Sequence, residues 1–566
     1  MECEQSEPDP FTVGATHLKD FQVDILDECL RKEHGGLVIP MGSGKTLLSI
    51  LIALHLAGPG GTILVVVAKS LIPVWKHEIA KFFGDSLKYI VIHSDNKNIH
   101  NLSFTGDAPR FIITTSQVLS KIYKQYNIKN RFSYMENINP LTQVRYFREP
   151  TAPFLKDTVG PGLFYSIMWD AIIIDEAHMY TNINVDMGQS LASLAARHRW
   201  ALSGTMFQEP RVERILGYYM LIGERTGIPN SIPDMHKFIT SAQYTGLRKT
   251  LVFRDKNPAF KMPQVNEQIV DLILDPNESK VYLILRATLQ ELFKQLQRFK
   301  LEHNVENIKK FSAYMMAVLT YLRQGLTSML IPLTTIAIDI ADLECKSELS
   351  QILNTNLKMA LIDEWLNSAD AIYSTRIKKI LELFALHKDE RIVAFSCFAT
   401  CLRVVQKLTV GPGNSKFARP LFSITGQMSI KKREQVIADF EKSQNGILFL
   451  TYDIGANGLN LQAASTAILF DYWWNSDKTK QAVARILRFG QMAPIVNIYY
   501  LRSNTALEYM IFKKHYAKSL IANELMDGKQ RTGVPKIEMK EILRFLAENE
   551  SADMKVYMQR TNIAVK

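Results

Sequence analysis

The stretch "GGLVIPMGSGKT" (35–46) decides the fold. An apolar run gives way to two glycines, a lysine and a threonine, which open directly into the helical pattern "LLSILIALHLA" (47–57). Gly42 and Gly44 allow a tight turn whose backbone N–H groups face a phosphate. Lys45 adds charge for the outer phosphates, and Thr46 a hydroxyl for Mg2+. The general spacing of such loops puts their first glycine at 39, where this chain has Ile39. On its own, the fragment also reads as a glycine-rich turn before a helix. A second element narrows the choice. "IIIDEAH" (172–178) ends a buried-strand pattern with two adjacent acids, about a domain's width further on. Asp175 is placed to hold magnesium through water, and Glu176 to orient and deprotonate an attacking water. The competing reading is a strand that merely ends in acidic turn residues.

Around these two elements, strand-like runs alternate with helical patterns from Leu18 to about Met262. The clearest are "TILVVVA" (62–68), "RFIITTS" (110–116), "AIIIDEA" (171–177) and "RWALSGT" (199–205). Continuous apolar strands between helices predict a parallel sheet covered on both faces. From about Lys280 to Leu353 long helical patterns replace the strands. Alternation resumes with "RIVAFSCF" (391–398), "PLFSITG" (420–426), "GILFLTY" (446–452), "TAILFDY" (466–472) and "IVNIYYL" (495–501). After Ser503 the chain is helical again, polar and basic near its end. The predicted fold class is α/β: two doubly wound parallel-sheet lobes with a helical insert. The expected boundaries are a tail at 1–17, a first lobe at 18–263 and a linker with the helical insert at 264–364. A second lobe at 365–503 and C-terminal helices at 504–566 follow.

At 566 residues the chain is too long for one core. With 47% hydrophobic and 22% charged residues its composition is that of a soluble globular protein. A net charge of +11 favours a polyanionic partner. The five cysteines are scattered, with no Cys-x-x-Cys pair, so a reducing compartment without structural zinc is expected. Cys397 and Cys401 read as small buried apolar residues. The opening "MECEQSEPDP" is acidic and unlike a signal peptide, and apolar runs such as "ILVVVA" (63–68) are too short to span a bilayer. A soluble intracellular protein with no membrane partner is the expectation.

One further stretch poses a question. Wound as a helix, "QAVARILRFGQ" (481–491) sets Gln481, Arg485 and Arg488 on one stripe and Ala482, Ile486 and Phe489 on another. The apolar stripe belongs in a core. The arginines have no acidic residue between Asp477 and Glu508, so they reach for an anion or line a solvated face.

The ordered set of motifs resembles the Swi/Snf (sucrose non-fermenting) family of DNA-translocating ATPases in helicase superfamily two. "LKDFQ" (18–22), "LVVVAKSLIPVWKHEI" (64–79), "ITTSQVL" (113–119), "MWDAIIIDEAHMYTN" (168–182) and "RWALSGTMFQE" (199–209) follow its first-lobe order. "FLTYDIGANGLNLQAA" (449–464), "ILFDYWWN" (468–475) and "QAVARILRFGQ" follow its second-lobe order. "NTALEYMIFKKHYAKSLIANELMDG" (504–528) looks like the family's brace helices, and the resemblance covers residues 18 to about 527. It implies RecA-like P-loop NTPase lobes that use ATP and Mg2+. Gln22 matches the adenine-reading glutamine, while Met41, Gly42, Ser43, Gly44, Lys45, Thr46 and Gly458 match nucleotide-binding positions. Thr46 and Asp175 match the magnesium-holding pair and Glu176 the catalytic acid. Arg485 and Arg488 match arginines that point across the interlobe cleft at the phosphates.

By the same analogy Lys69, Ser70, Thr114, Thr115, Thr451 and Asn457 lie on loops that grip the phosphates of one DNA strand. Trp474 and Asn475 match a coupling segment near the DNA, although Trp474 also reads as a packed aromatic. The basic and aromatic tract 123–150 reads as a surface insertion or a nucleic-acid contact. The chain departs from the family at Ile39, Pro40, Met206, Glu209 and Leu487, and it keeps Arg323 and Gln324 without the His-Pro that often follows. The resemblance implies ATP hydrolysis coupled to movement on double-stranded DNA. Such a motor would remodel DNA-bound complexes such as nucleosomes or polymerase, in the nucleus or a cytoplasmic site of DNA transactions. So compact a form suits a viral or microbial genome, or a subunit guided by partners. The rivals are a strand-separating DNA or RNA helicase and a non-catalytic nucleic-acid scaffold.

Overall fold

Val65 and Val66 face opposite sides of one strand, and both are fully buried. That strand sits inside a seven-stranded sheet in which every pairing is parallel. The computed structural model describes residues 9–40, 42–93, 110–128, 137–138, 145–146, 153, 155–157, 159–182, 185–204, 211–223, 227–228, 235–254, 263–341, 348–358, 369–410, 419–456, 459–474, 476–488, 491–527 and 546. Two units divide the chain: Met1–Lys261 with Lys518–Val534, and Met262–Ala517 with Pro535–Lys566.

In the first unit the strands are β1 (Gly35–Val38), β2 (Ile63–Val67), β3 (Tyr89–Ile92), β4 (Phe111–Thr115), β5 (Trp169–Ile174), β6 (Ala196–Ser203) and β7 (Leu251–Phe253). Their order across the sheet is β7-β1-β6-β5-β2-β4-β3. Leu64, Val66, Ile172 and Ile174 enter one core with Leu119, Phe164 and Leu191. Ile63, Val65, Val67 and Ile173 enter another with Leu48, Ile50 and Leu51. Continuous apolar strands are therefore buried twice over, as a parallel sheet requires.

The helices that matter to the site are α1 (Asp20–Leu30), α2 (Lys45–Ala57), α3 (Ile72–Phe82) and α4 (Ser116–Gln125). Every residue of α2 from Leu47 to Ala53 is buried, so that helix is fixed against the sheet it serves. It stops where Gly58 takes φ +67 and donates its N–H to Leu54 O at 3.1 Å. Of the tract 123–150, the described part includes two short strands, Asn137–Ile138 and Arg145–Tyr146, which pair antiparallel.

The second unit contains β8 (Gln264–Leu272), β9 (Ile392–Ser396), β10 (Leu421–Ser423), β11 (Ile447–Thr451), β12 (Thr466–Leu469) and β13 (Ile495–Ser503). These six strands, also all parallel, run in the order β8-β13-β12-β9-β11-β10. The fold is α/β with two doubly wound parallel sheets, as the alternation predicts. β8 was not expected. It pairs with β13 along its whole length, from Gln264 opposite Ile495 to Leu272 opposite Ser503.

Between β8 and β9 lie α5 (Pro276–Leu301) and α6 (Val305–Gly325), then Leu330–Ala341 and Glu348–Lys358. Asp275 caps α5 by accepting from Asn277 N and Glu278 N at 2.8 and 3.0 Å, while Glu278 reaches back to Asp275 N at 3.1 Å. Glu278 also accepts from Thr375 N and Thr375 Oγ1, at 2.9 and 2.6 Å, which pins the insert to the start of α7 (Thr375–Leu386). Leu285, Leu289 and Leu292 of α5 pack with Val318, Leu319 and Leu322 of α6. Later in the unit come α8 (Ser476–Val483) and the first part of α9 (Ala506–Asp527), whose residues from Lys518 on belong to the first unit, and Leu507, Ile511 and Leu546 join the core of the insert.

The continuous helix expected over 481–491 is corrected. α8 ends at Val483, and the next residues form tight turns. Arg485 N donates to Ala482 O and Ile486 N to Val483 O, both three residues back, while the Arg485 carbonyl is taken by Leu461 N at 3.1 Å. Ala482 and Ile486 are buried as expected, but so is Arg485, at 6% exposed. Met41, Met206, Glu209, Asn457, Gly458, Asn475 and Phe489 lie outside the described residues. Among the described residues no helix is long and apolar enough to cross a membrane.

Candidate nucleotide site

Parallel strands bring their carboxyl ends to one edge, which is where α/β proteins bind ligands. At that edge of the first sheet β1 leads to Gly42, Ser43, Gly44 and Lys45, while β5 leads to Asp175 and Glu176. β6 lies between them and ends in Ser203, opposite Val38.

Gly42 and Gly44 have φ of +80° and +81°, the left-handed region that disfavours a side chain. A Cβ on Gly44 would lie 2.2 Å from Gln22 Nε2. Gln22 is itself buried in α1. Its Nε2 donates to Ser43 O at 3.0 Å and its Oε1 accepts from Lys19 N at 3.0 Å, so its amide braces the loop. Lys45, the first residue of α2, donates from Nζ to the carbonyls of Ile39 and Pro40 at 3.2 and 3.4 Å. Its ammonium is thus folded over the loop it follows. Thr46 is half-buried in the first turn of the same helix.

Asp175 is buried, and both of its oxygens have donors. Trp75 Nε1 reaches one at 2.9 Å and the N–H of Glu176 the other at 2.9 Å. Burial and the Glu176 charge push its carboxyl up to about 6, against the Trp75 hydrogen bond and the Lys45 charge, which pull it down. Glu176 has φ +48°, a left-handed conformation uncommon for this residue, and residues held so cluster at functional sites. Among the described residues its buried Oε2 has no hydrogen-bond partner. His178 Nδ1 lies 3.3 Å from that oxygen and 3.0 Å from Ser203 Oγ. Burial lowers the imidazole to about 4, so His178 is neutral at neutral pH and its closeness to Glu176 is no ion pair.

These features fit a nucleotide with magnesium: a loop of two left-handed glycines, a lysine beside a buried carboxylate, and a buried acid oxygen without a hydrogen-bond partner among the described residues. The Trp75 bond was beyond sequence reading. The indole and the carboxylate are 100 residues apart, and nothing local marks the pair.

In the second unit Arg485 is buried and Arg488 half-buried, each fixed by the turns after α8 rather than by a helical stripe. Lys69 is exposed and Ser70 half-buried at the turn that leads into α3. Thr114 and Thr115 differ from what the DNA analogy implies. Thr114 is fully buried and its hydroxyl donates to Ile92 O at 3.0 Å, while Thr115 Oγ1 caps α4 by accepting from Val118 N. Both side chains serve the fold. Thr451 is half-buried at the end of β11.

Trp474 packs against the insert core, with the Arg323 guanidinium 4.6 Å from its ring centre and 4.9 Å from that of Phe398. Arg323 also donates to Tyr472 O at 2.8 Å and to Cys397 Sγ at 3.0 Å. Cys401 is fully buried; Cys397 is half-buried beneath this arginine.

A glycine-braced lysine loop facing an Asp-Glu pair at the edge of a parallel sheet is the arrangement of a P-loop nucleotide-binding protein. Two family models match the chain in order: the SNF2-related domain over residues 19–222 and the helicase conserved C-terminal domain over residues 375–490. The chain belongs to the Snf2-related, helicase-like ATPases of helicase superfamily two.

Among its relatives, "Putative helicase 172L" of Invertebrate iridescent virus 6 is 23% identical over 88% of this chain and 86% of the viral protein. DNA repair and recombination protein RAD54B of Homo sapiens is 23% identical over 91% of this chain but 54% of its own length. The Sulfolobus solfataricus SWI2/SNF2 ATPase core, solved in complex with dsDNA, is similar at 19% identity, with 92% of this chain and 95% of that one covered and a TM-score of 0.33.

Proposed function

We propose that the chain is a motor that hydrolyses ATP to translocate on double-stranded DNA and remodel the protein complexes bound there. The observation that most supports this is the meeting of the Lys45 loop with Asp175 and Glu176 at one sheet edge, in a member of this family. In this reading residues 18–263 and 365–503 are the two motor lobes, 264–364 the linker and insert, and 504–566 the brace. Gln22 reads the adenine, Met41 to Thr46 hold the phosphates, and Gly458 meets the nucleotide from the second lobe. Thr46 and Asp175 hold magnesium, which when bound neutralises charge on the outer phosphates. Glu176, whose Oε2 has no hydrogen-bond partner among the described residues, takes the proton of the attacking water. Arg485 and Arg488 supply positive charge to the phosphoryl group from the second lobe.

Lys69, Ser70, Thr451, Asn457 and the backbone around Thr114 and Thr115 grip DNA phosphates, a contact indifferent to sequence. One relative is a DNA repair and recombination protein, which supports DNA-bound assemblies such as nucleosomes, repair complexes or polymerase as what is moved. The site of action is wherever such DNA is handled, in a nucleus or a cytoplasmic replication site.

Side-by-side ATPase rates without nucleic acid and with duplex DNA, single-stranded DNA and RNA test the reading. Duplex DNA should stimulate several-fold, with log affinity falling against log salt by roughly one unit per phosphate contact. A forked substrate should remain unseparated. Stimulation by RNA with duplex DNA inert would overturn the proposal.

A further inference from the structure

The Asp175 carboxylate is held from two directions. Its Oδ1 accepts from the Glu176 N–H, the next residue in the chain, and its Oδ2 from the indole Nε1 of Trp75, both at 2.9 Å. The first bond is local and comes with the turn. The second spans 100 residues and comes from a different layer, the helix α3. Trp75 is 1% exposed and packed among Ile72, Ile79 and Ile173, so its N–H has a fixed direction.

We propose that Trp75 is a positioning residue for the metal-holding carboxylate: its N–H sets the orientation of Asp175 and thereby the strength of the magnesium site. The inference rests on the reading of Asp175 as a magnesium holder and adds a residue to it. An aspartate can rotate about its side-chain bonds, and a magnesium site tolerates little error in the direction of its oxygens. One donor on each oxygen removes that freedom before the metal arrives. Groups that orient a metal-holding residue in this way typically change metal affinity by about 10–100-fold when removed. A simple core tryptophan would contribute only volume. Here the polar atom is spent on one carboxylate oxygen, and among the described residues no other side chain donates to Asp175.

The test measures binding rather than turnover. A fluorescent, non-hydrolysable ATP analogue is titrated into the full chain at a series of magnesium concentrations, for wild type and Trp75→Phe. Phenylalanine keeps most of the ring and removes the donor. The expected result is a half-saturating magnesium concentration raised about tenfold, with metal-free nucleotide affinity unchanged and the melting temperature close to wild type. Site-specific replacement of Trp75 by benzothienylalanine, which keeps both rings and puts sulfur in place of N–H, should give the same shift and covers the case in which Trp75→Phe unfolds. Wild-type magnesium dependence in the benzothienyl protein overturns the inference and leaves the site reading standing. An equal loss of metal-free and metal-bound affinity, which packing damage would give, also overturns it. If the wild-type chain binds nucleotide with no magnesium dependence, the reading of Asp175 fails and the inference with it.

Discussion

The guanidinium of Arg376 and the carboxylate of Glu508, 132 positions apart, form a buried ion pair at 2.6 Å, with side chains 0% and 4% exposed. Arg376 stands in the first turn of α7 and Glu508 in the first turn of α9, so the pair ties the two helices together at the end of β13. Arg376 also donates to Phe470 O and Ser503 Oγ, each at 2.6 Å, and Glu508 accepts the Ser503 N–H. Three segments of the second unit thus meet on two charges. Removing one partner strands the other in a place water does not reach. Glu508→Ala should cost about 3–5 kcal/mol, whereas Arg376→Met with Glu508→Leu should recover most of that loss. Urea unfolding of the single and double variants checks it. Equal destabilisation by both would show that packing, not charge, sets the cost.

Gly44 is required twice, by its φ of +81° and by the 2.2 Å that would separate a Cβ from Gln22 Nε2. Gly44→Ala should therefore relax the loop into another conformation, which binding must then undo. The left-handed strain alone is about 1–2 kcal/mol, and that converts to about five- to thirtyfold in nucleotide affinity. Calorimetric titration with ATP measures the loss, and near-normal affinity would mean that the loop binds in a different shape.

Glu176 offers a buried oxygen, without a hydrogen-bond partner among the described residues, at the end of β5 and beside a neutral His178. Glu176→Gln preserves size and removes the ability to take a proton. Hydrolysis should fall by about a hundredfold or more, while nucleotide affinity holds within a few-fold. Single-turnover rates with matched binding data decide the matter, and wild-type turnover would contradict the role.

The legible part of this fold was the part whose sequence signal is local. β2, β5 and β11 read as apolar runs because both faces of each are buried. Most of β8 is polar, "QVNEQIVDL", because it is an edge strand with half its surface open, so no apolar run marks it. Gly42, Gly44 and Lys45 carry their meaning in their own geometry and were legible too. The end of α8 was not. Nothing between Ala482 and Arg488 breaks a helix by propensity; beyond Val483 the N–H groups of Arg485 and Ile486 bond three residues back, and the Arg485 carbonyl goes to Leu461 N, a tertiary partner. The Thr114 hydroxyl went the same way, to Ile92 O in the neighbouring strand.

That early end of α8 separates two arginines that a helical stripe would have made equivalent. Arg485 is 6% exposed, its carbonyl is engaged by Leu461 N, and its neighbours Ala482 and Ile486 are fully buried. Arg488 is half-buried, beyond the last turn. Arg485→Ala should accordingly damage both stability and hydrolysis, because packing is lost with the charge. Arg488→Ala should leave the melting temperature unchanged and lower hydrolysis by about a thousandfold, the scale of an arginine finger. Nucleotide affinity should change little, since such a contact serves the transition state. Arg488→Lys should rescue poorly, because a point charge cannot reproduce a planar two-pronged contact. If Arg488 instead faces DNA or solvent, Arg488→Ala will keep its basal ATPase rate and lose only DNA affinity. Basal rate, nucleotide affinity, DNA affinity and melting temperature, measured on all three variants, separate a finger from a DNA contact and either from a packing residue.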